Sequence, residues 1–149
     1  MRRGSCVGIV LLAIGLFATP GLAQSTGDTG PPGDREVGRL KQNYPNPFNP
    51  ETTIPFELSE ELFEGGKQVV VSLRIYNVLQ QLVAVPVAKN HPEGNGALIE
   101  GLRYDAPGPK EAYWNGHDRN GRQVASGVYY YMLIINGRKS DVRKMVVLK

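Results

Sequence analysis

In GVYYYMLIINGRKSDVRKMVVLK (127–149) two alternating runs are joined by Asn136-Gly137. An Asn-Gly pair accepts positive φ at both central positions, which is what the tight turn of a twisted β-hairpin requires. The same period of two recurs upstream. TTIPFEL puts Ile54, Phe56 and Leu58 on one face, and KQVVVSLRIY does so with Val69, Val71, Leu73 and Ile75. QLVAVPVA reads as a third strand and EAYWNG as a shorter one, while only SEELFEGG suggests a helical turn. Pro55 and Pro86 cannot donate to a ladder, which predicts an edge strand for the first and an edge or bulge for the second. The stretch 89–110 is a long Gly/Pro/Asn loop with one short strand in ALIE. Six or seven strands without helices predict an all-β antiparallel sandwich of two sheets, an up-and-down barrel being the other arrangement. Within Tyr129-Tyr130-Tyr131 the middle ring faces away from its neighbours, as expected of a central strand covered on both faces.

The folded part does not start at Met1. Arg2 and Arg3, the apolar run 7–18 and the small residues ending at Ala23 have the order of a secretory signal peptide, with cleavage expected after Ala23. A dozen apolar residues is short for a bilayer, which needs about 20. Cys6, the single cysteine, falls inside this leader, so the mature chain is expected to hold neither disulfide nor thiol nucleophile. Residues 24–39 are mostly Ser, Thr, Gly, Asp and Pro around TGPPG and read as a disordered linker. The expected organisation is a signal peptide at 1–23, a linker at 24–39 and one domain at 40–149.

Charge excludes more than it selects. Taking Arg2 and Arg3 from the 17 basic residues leaves 15 against 14 acidic ones, a formal +1, so no nucleic-acid partner is expected. The acids gather in ETTIPFELSEELFE and the bases in GRKSDVRKMVVLK, as two solvated faces or an attractive strand pair. No catalytic set stands out. His91 and His117 sit in turn-rich sequence, and no serine lies in a G-x-S-x-G elbow. No phosphate loop or H-E-x-x-H is present, so neither an enzyme nor a cofactor is expected. Asp118-x-Asn120-Gly121 has the opening oxygens of a calcium loop but lacks the later ligands, and a tight turn explains it better. Trp114 reads as a core anchor, with carbohydrate stacking the alternative.

Pro45, Pro47 and Pro50 within YPNPFNP make a stiff segment that cannot be helix. LKQNYPNPFNPETTIPFEL, VSLRIYNVLQQLV, WNGHDRNGRQVASGVYYYML and VRKMVVLK occur in the order known from one family. The chain resembles the type A C-terminal sorting domains of the type IX secretion system, and is similar also to the immunoglobulin-like domain of flagellar hook-capping proteins. The resemblance implies an immunoglobulin-like sandwich that labels secreted cargo, with outer-membrane secretion machinery as partner. It implies location at the outer-membrane surface or outside the cell, and in the periplasm where no type IX system exists. The motif residues it places in structural roles are Pro45, Asn46, Pro47, Phe48, Trp114, Gly116, Asp118, Gly121, Gly127 and Tyr129; Lys144 and Lys149 become recognition candidates. In this reading the prolines hold the incoming chain away from the sheet edge. Leader and linker lead straight into the domain, so the chain reads as a sorting-type module without cargo. A structural or adhesive immunoglobulin-like module, bound by another surface protein along an exposed strand edge, is the alternative; a calcium- or glycan-binding module is the weaker one. Where the family carries glycine, NVLQQLV has Gln80, which is expected to take a left-handed backbone.

Overall fold

The computed structural model describes residues 37–149; the leader, with Cys6, and most of the linker lie outside the described residues. Among the described residues the strands are β1 (Gly38–Leu40), β2 (Thr52–Leu58), β3 (Val69–Tyr76), β4 (Leu82–Ala84), β5 (Val87–Lys89), β6 (Leu102–Tyr104), β7 (Gly108–Trp114), β8 (Gly127–Ile135) and β9 (Arg138–Val147). One antiparallel sheet runs β1-β2-β7-β5; the other runs β4-β3-β8-β9, with β6 paired to the opposite end of β3 from β4. This is the A-B-E-D and C′-C-F-G order of an immunoglobulin-type sandwich. The helical turn expected in SEELFEGG is a single 3-10 turn over Glu60–Phe63.

The inward rows are the alternating residues of each run. Ile54, Phe56 and Leu58 meet Val69, Val71, Leu73 and Ile75 across the core, with Tyr131, Leu133 and Met145 behind them, all nearly or fully buried. Each such side chain contributes about 1.5–3 kcal/mol by leaving water. Asn136 and Gly137, both at positive φ, close the β8–β9 hairpin as their sequence requires.

Several expectations change: the short strand expected in ALIE lies further on, at Leu102–Tyr104, and β7 begins at Gly108, inside the stretch read as loop. β1 opens at Gly38, so the first strand takes in two residues read above as linker. QLVAVPVA is two strands in different sheets, because the chain crosses the sandwich at Val85-Pro86, where Pro86 has no N–H to give a ladder and its carbonyl accepts from Ile99 N–H at 2.9 Å. β8 is covered on one face only: Tyr129 and Tyr131 point into the core, whereas Tyr130 is 39% exposed on the outside.

Pro55, finally, is not at an edge, since β2 lies between β1 and β7. Lys41 N–H donates to Pro55 C=O at 2.9 Å, so the proline nitrogen faces Lys41 as well. In a ladder Lys41 C=O would accept from that nitrogen. It accepts instead from the Tyr131 hydroxyl at 2.9 Å, and the same hydroxyl accepts from Asn43 N–H at 3.2 Å. A side chain from the facing sheet replaces the missing donor. Tyr131→Phe strips both backbone groups of their partner, and a loss of about 1–3 kcal/mol is expected, read as a lower urea midpoint with unchanged m-value.

The sheet edges are occupied in the same fashion. Ser140 Oγ donates to Gly38 C=O (2.7 Å), and Leu40 N–H donates to Asp141 Oδ2 (2.8 Å), covering β1. On β5, Ala88 bonds Ala97 C=O and Gly96 N–H. β4 gives Val83 C=O to Arg119 N–H (3.0 Å). β6 gives Arg103 C=O to His91 Nε2 (2.8 Å), while His91 Nδ1 accepts from Glu93 N–H. The C-terminal end of β9 is covered by the proline segment described next. A partner joining by strand addition at these positions would have to displace one of these caps.

Candidate functional site

The residues singled out by the motif resemblance collect at the end of the sandwich where β2 and β8 begin and β7 and β9 finish. The proline run lies along the outer edge of β9, not away from it. Phe48 N–H donates to Val146 C=O (3.1 Å), Leu148 N–H donates to Phe48 C=O (3.0 Å), and between them Asn46 Oδ1 accepts from Val146 N–H (3.0 Å). The peptide bonds preceding Pro45, Pro47 and Pro50 are all cis. Pro45 C=O accepts from Asn43 Nδ2 and Thr52 Oγ1, two buried polar side chains that also bond each other at 3.0 Å; Pro47 is exposed.

Phe48 turns inward and is 1% exposed. Its ring meets Trp114 with centroids 5.4 Å apart, and Trp114 meets Tyr129 at 6.0 Å. Trp114 satisfies its indole by donating to His117 C=O at 2.9 Å. Tyr129, near the start of β8, donates its hydroxyl to Ala125 C=O four residues back (3.0 Å), the tyrosine corner of immunoglobulin-type sandwiches. Burial pushes that hydroxyl above its ordinary pKa. Gly116, at φ +73°, lies under the proline run: a Cβ there would sit 2.2 Å from Pro50 C=O. Gly127 opens β8 at φ +152°, with open space beside it.

Asp118 and Gly121 belong to a turn that occurs twice. Asp118 Oδ1 accepts from Asn120 N–H (2.8 Å) and Arg122 N–H (3.0 Å). Gly121 N–H donates to Asp118 C=O (3.0 Å), and Asp118 N–H donates to Arg122 C=O (2.8 Å). Asn77 repeats every bond, with Leu79 and Gln81 N–H on Oδ1 (3.0 and 2.9 Å), Gln80 N–H on its carbonyl and its own N–H on Gln81 C=O. The fourth residue is left-handed in both, Gly121 at φ +76° and Gln80 at φ +60°. The segments align as NVLQQLVA and DRNGRQVA, a signal present in the sequence but hidden by the substitution of glycine by Gln80. Relief of the left-handed penalty predicts that Gln80→Gly stabilises the domain by about 1 kcal/mol; a raised urea midpoint at constant m is the expected result.

Asp118 has no oxygen to spare for calcium. Both Oδ1 bonds go to backbone, Oδ2 accepts from Arg122 Nε, and the Arg122 N–H first, then that of Asn120, holds the carboxyl below its ordinary pKa. No group of three or more His, Cys, Asp or Glu is placed to hold a metal among the described residues. A groove of about 690 Å³ lies beside this turn, lined by Val85, Val87, Leu98, Tyr113 and His117 with Trp114 at its back. Trp114 is only 3% exposed and offers no open face for a sugar. Lys144 and Lys149 are both exposed, Lys144 within β9 and Lys149 two residues beyond its end. Lys144 stands opposite Tyr130 on the outer face of the sheet, and Lys149 N–H donates to Ser126 Oγ.

No protein-family model and no characterised sequence matches the chain. Among solved structures it is similar to PorZ, an essential bacterial surface component of the type IX secretion system of Porphyromonas gingivalis, at 20% identity and TM-score 0.41. That likeness covers 79% of this chain and 13% of PorZ. It is also similar to the alkylpurine DNA glycosylase AlkC of Pseudomonas fluorescens bound to DNA with an abasic-site analogue. There the identity is 13% and the TM-score 0.45, over 76% of this chain and 31% of the other. The chain thus spans under a third of the length of either.

Proposed function

We propose that the sandwich is a non-catalytic sorting and cell-surface attachment module of the type IX secretion kind, exported through the inner membrane and delivered to the outer-membrane surface or beyond. The observation that supports this reading best is the meeting of the quoted motifs. YPNPFNP, WNG and VRKMVVLK, far apart in the chain, are one interlocked unit through Phe48–Trp114, Pro50–Gly116 and Asn46–Val146. A machine that recognises this unit reads the first and last segments of the domain at once. Outer-membrane secretion machinery is the partner this reading names, with Lys144 and Lys149 as the exposed cations it engages.

The test inserts a neutral reporter into residues 24–36 of the full chain, expressed in a type IX host. The expected outcome is a reporter that protease reaches on whole cells. Lys144→Ala with Lys149→Ala is expected to cost under about 0.5 kcal/mol per site, to leave the module folded in the periplasm and to lower the surface fraction. An intact fusion that folds but stays periplasmic would sink the sorting reading and leave a structural or adhesive immunoglobulin-like module in its place.

A further inference from the structure

The twin turns differ in one respect that their geometry does not require. At the two tip positions the Asp118 turn carries Arg119 and Asn120, both exposed, as water-facing turns ordinarily do. The Asn77 turn carries Val78 and Leu79 at the same positions, 63% and 74% exposed. Neither belongs to the core. The Asn77 side chain nevertheless fixes their backbone as firmly as Asp118 fixes its own turn, so the apolar pair is held out on a stiff finger. The turns are neighbours: Arg119 N–H bonds Val83 C=O, and Asn77, Gln81, Arg119 and Arg122 line one polar cleft between them. Arg122 keeps its side chain 77% exposed while pairing with Asp118 at 3.3 Å. Asp118 is the one acid in that cleft; its Oδ1 is taken by the turn backbone and its Oδ2 by Arg122, which leaves Arg119 without an acid there.

We infer that this end of the sandwich docks on an anionic lipid bilayer, Val78 and Leu79 entering the interface and Arg119 and Arg122 lying against lipid phosphates. Charge complementarity selects the occupant. An apolar tip beside the exposed Arg119 and the largely exposed Arg122, two cations to the single acid Asp118, matches a surface that is apolar beneath and anionic above, and cations near such a surface add to apolar insertion. Leu148, 52% exposed just beyond β9, extends the apolar surface at the same end of the strands. This inference does not depend on the export reading, because it concerns the folded module however it is delivered.

The experiment uses the chain from residue 24, since the core and edge bonds described above all close within 37–149 and the apolar stretch at 7–18 would itself bind lipid. It is sedimented with vesicles of phosphatidylglycerol and phosphatidylcholine in equal parts, and with vesicles of phosphatidylcholine alone. Binding is expected to the first, weaker with added salt, and at least about tenfold weaker to the second. Val78→Ser with Leu79→Ser should lower binding about tenfold with Trp114 fluorescence unchanged. Arg119→Gln with Arg122→Gln should abolish the preference for anionic vesicles. Absence of binding by the unaltered chain, or equal binding by the Val78/Leu79 variant, would overturn the inference. So would sedimentation velocity showing a dimer that the same variant dissolves, because the finger then docks on a second copy.

Discussion

Gly116→Ala is expected to be among the most damaging single substitutions in the domain, lowering stability by about 3 kcal/mol or more. Two costs coincide. At φ +73° any Cβ carries the left-handed penalty of about 1–2 kcal/mol. The added methyl would also stand 2.2 Å from Pro50 C=O, a backbone atom held by its neighbours, and overpacking of that sort costs about 1–3 kcal/mol. Gly121→Ala separates the two, because Gly121 has nearly the same φ, +76°, but nothing within 4 Å of its Cβ position. Its expected cost is the backbone penalty alone, about 1 kcal/mol. Urea midpoints of the two variants decide the matter. Equal losses would mean that Pro50 moves aside and that the packing of the proline run on Gly116 carries no energy.

Phe48→Ala should cost about 4 kcal/mol, within the range for deleting a buried aromatic ring. Phe48 is the side chain by which an otherwise exposed segment enters the core, and it takes the edge-tilted contact with Trp114 with it. The backbone bonds of Phe48 to Val146 and Leu148 survive the substitution in principle, but nothing then presses them onto β9. Faster amide exchange at Val146 and Leu148 than at Tyr131 in the variant is the expected signature. A loss below about 1.5 kcal/mol, the least that burying a large apolar side chain is worth, would show that the proline run is anchored elsewhere.

Period-two alternation carried β2, β3 and β8 from sequence to structure with little loss, because each sets alternate residues into the core, whereas β9 does so only at Met145 and Val147. It failed at QLVAVPVA for the same reason it worked elsewhere. The alternation runs unbroken through Val85-Pro86 although the chain changes sheets there, and a local pattern carries no information about which sheet receives it. Pro55 misled because the group that excuses its missing N–H, the Tyr131 hydroxyl, lies 76 positions further along the chain. The candidate site was legible as a set of motifs and illegible as an object. Nothing in YPNPFNP says that its carbonyl at Pro50 rests on Gly116, or that Asn46 serves Val146 rather than its own turn. The paired turns lay between these extremes, visible once NVLQQLVA and DRNGRQVA are set one above the other.

The proline run and β9 are separated by 100 positions where Asn46 meets Val146, so an early segment of the domain waits for a late one before either is settled. A chain synthesised or threaded only as far as Ile135 has β8 with an unpaired side, Phe48 without its backbone partners and the β1 carbonyl at Gly38 without Ser140. Such pairing across long sequence separation also makes closure slow relative to local turns. Completion of the fold therefore reports that the polypeptide has arrived through residue 147. A product that stops before residue 138 leaves β8 without its β9 neighbour and Phe48 without its backbone partners. One small set of bonds thus fastens two segments a hundred positions apart, and the domain is closed only when both are present.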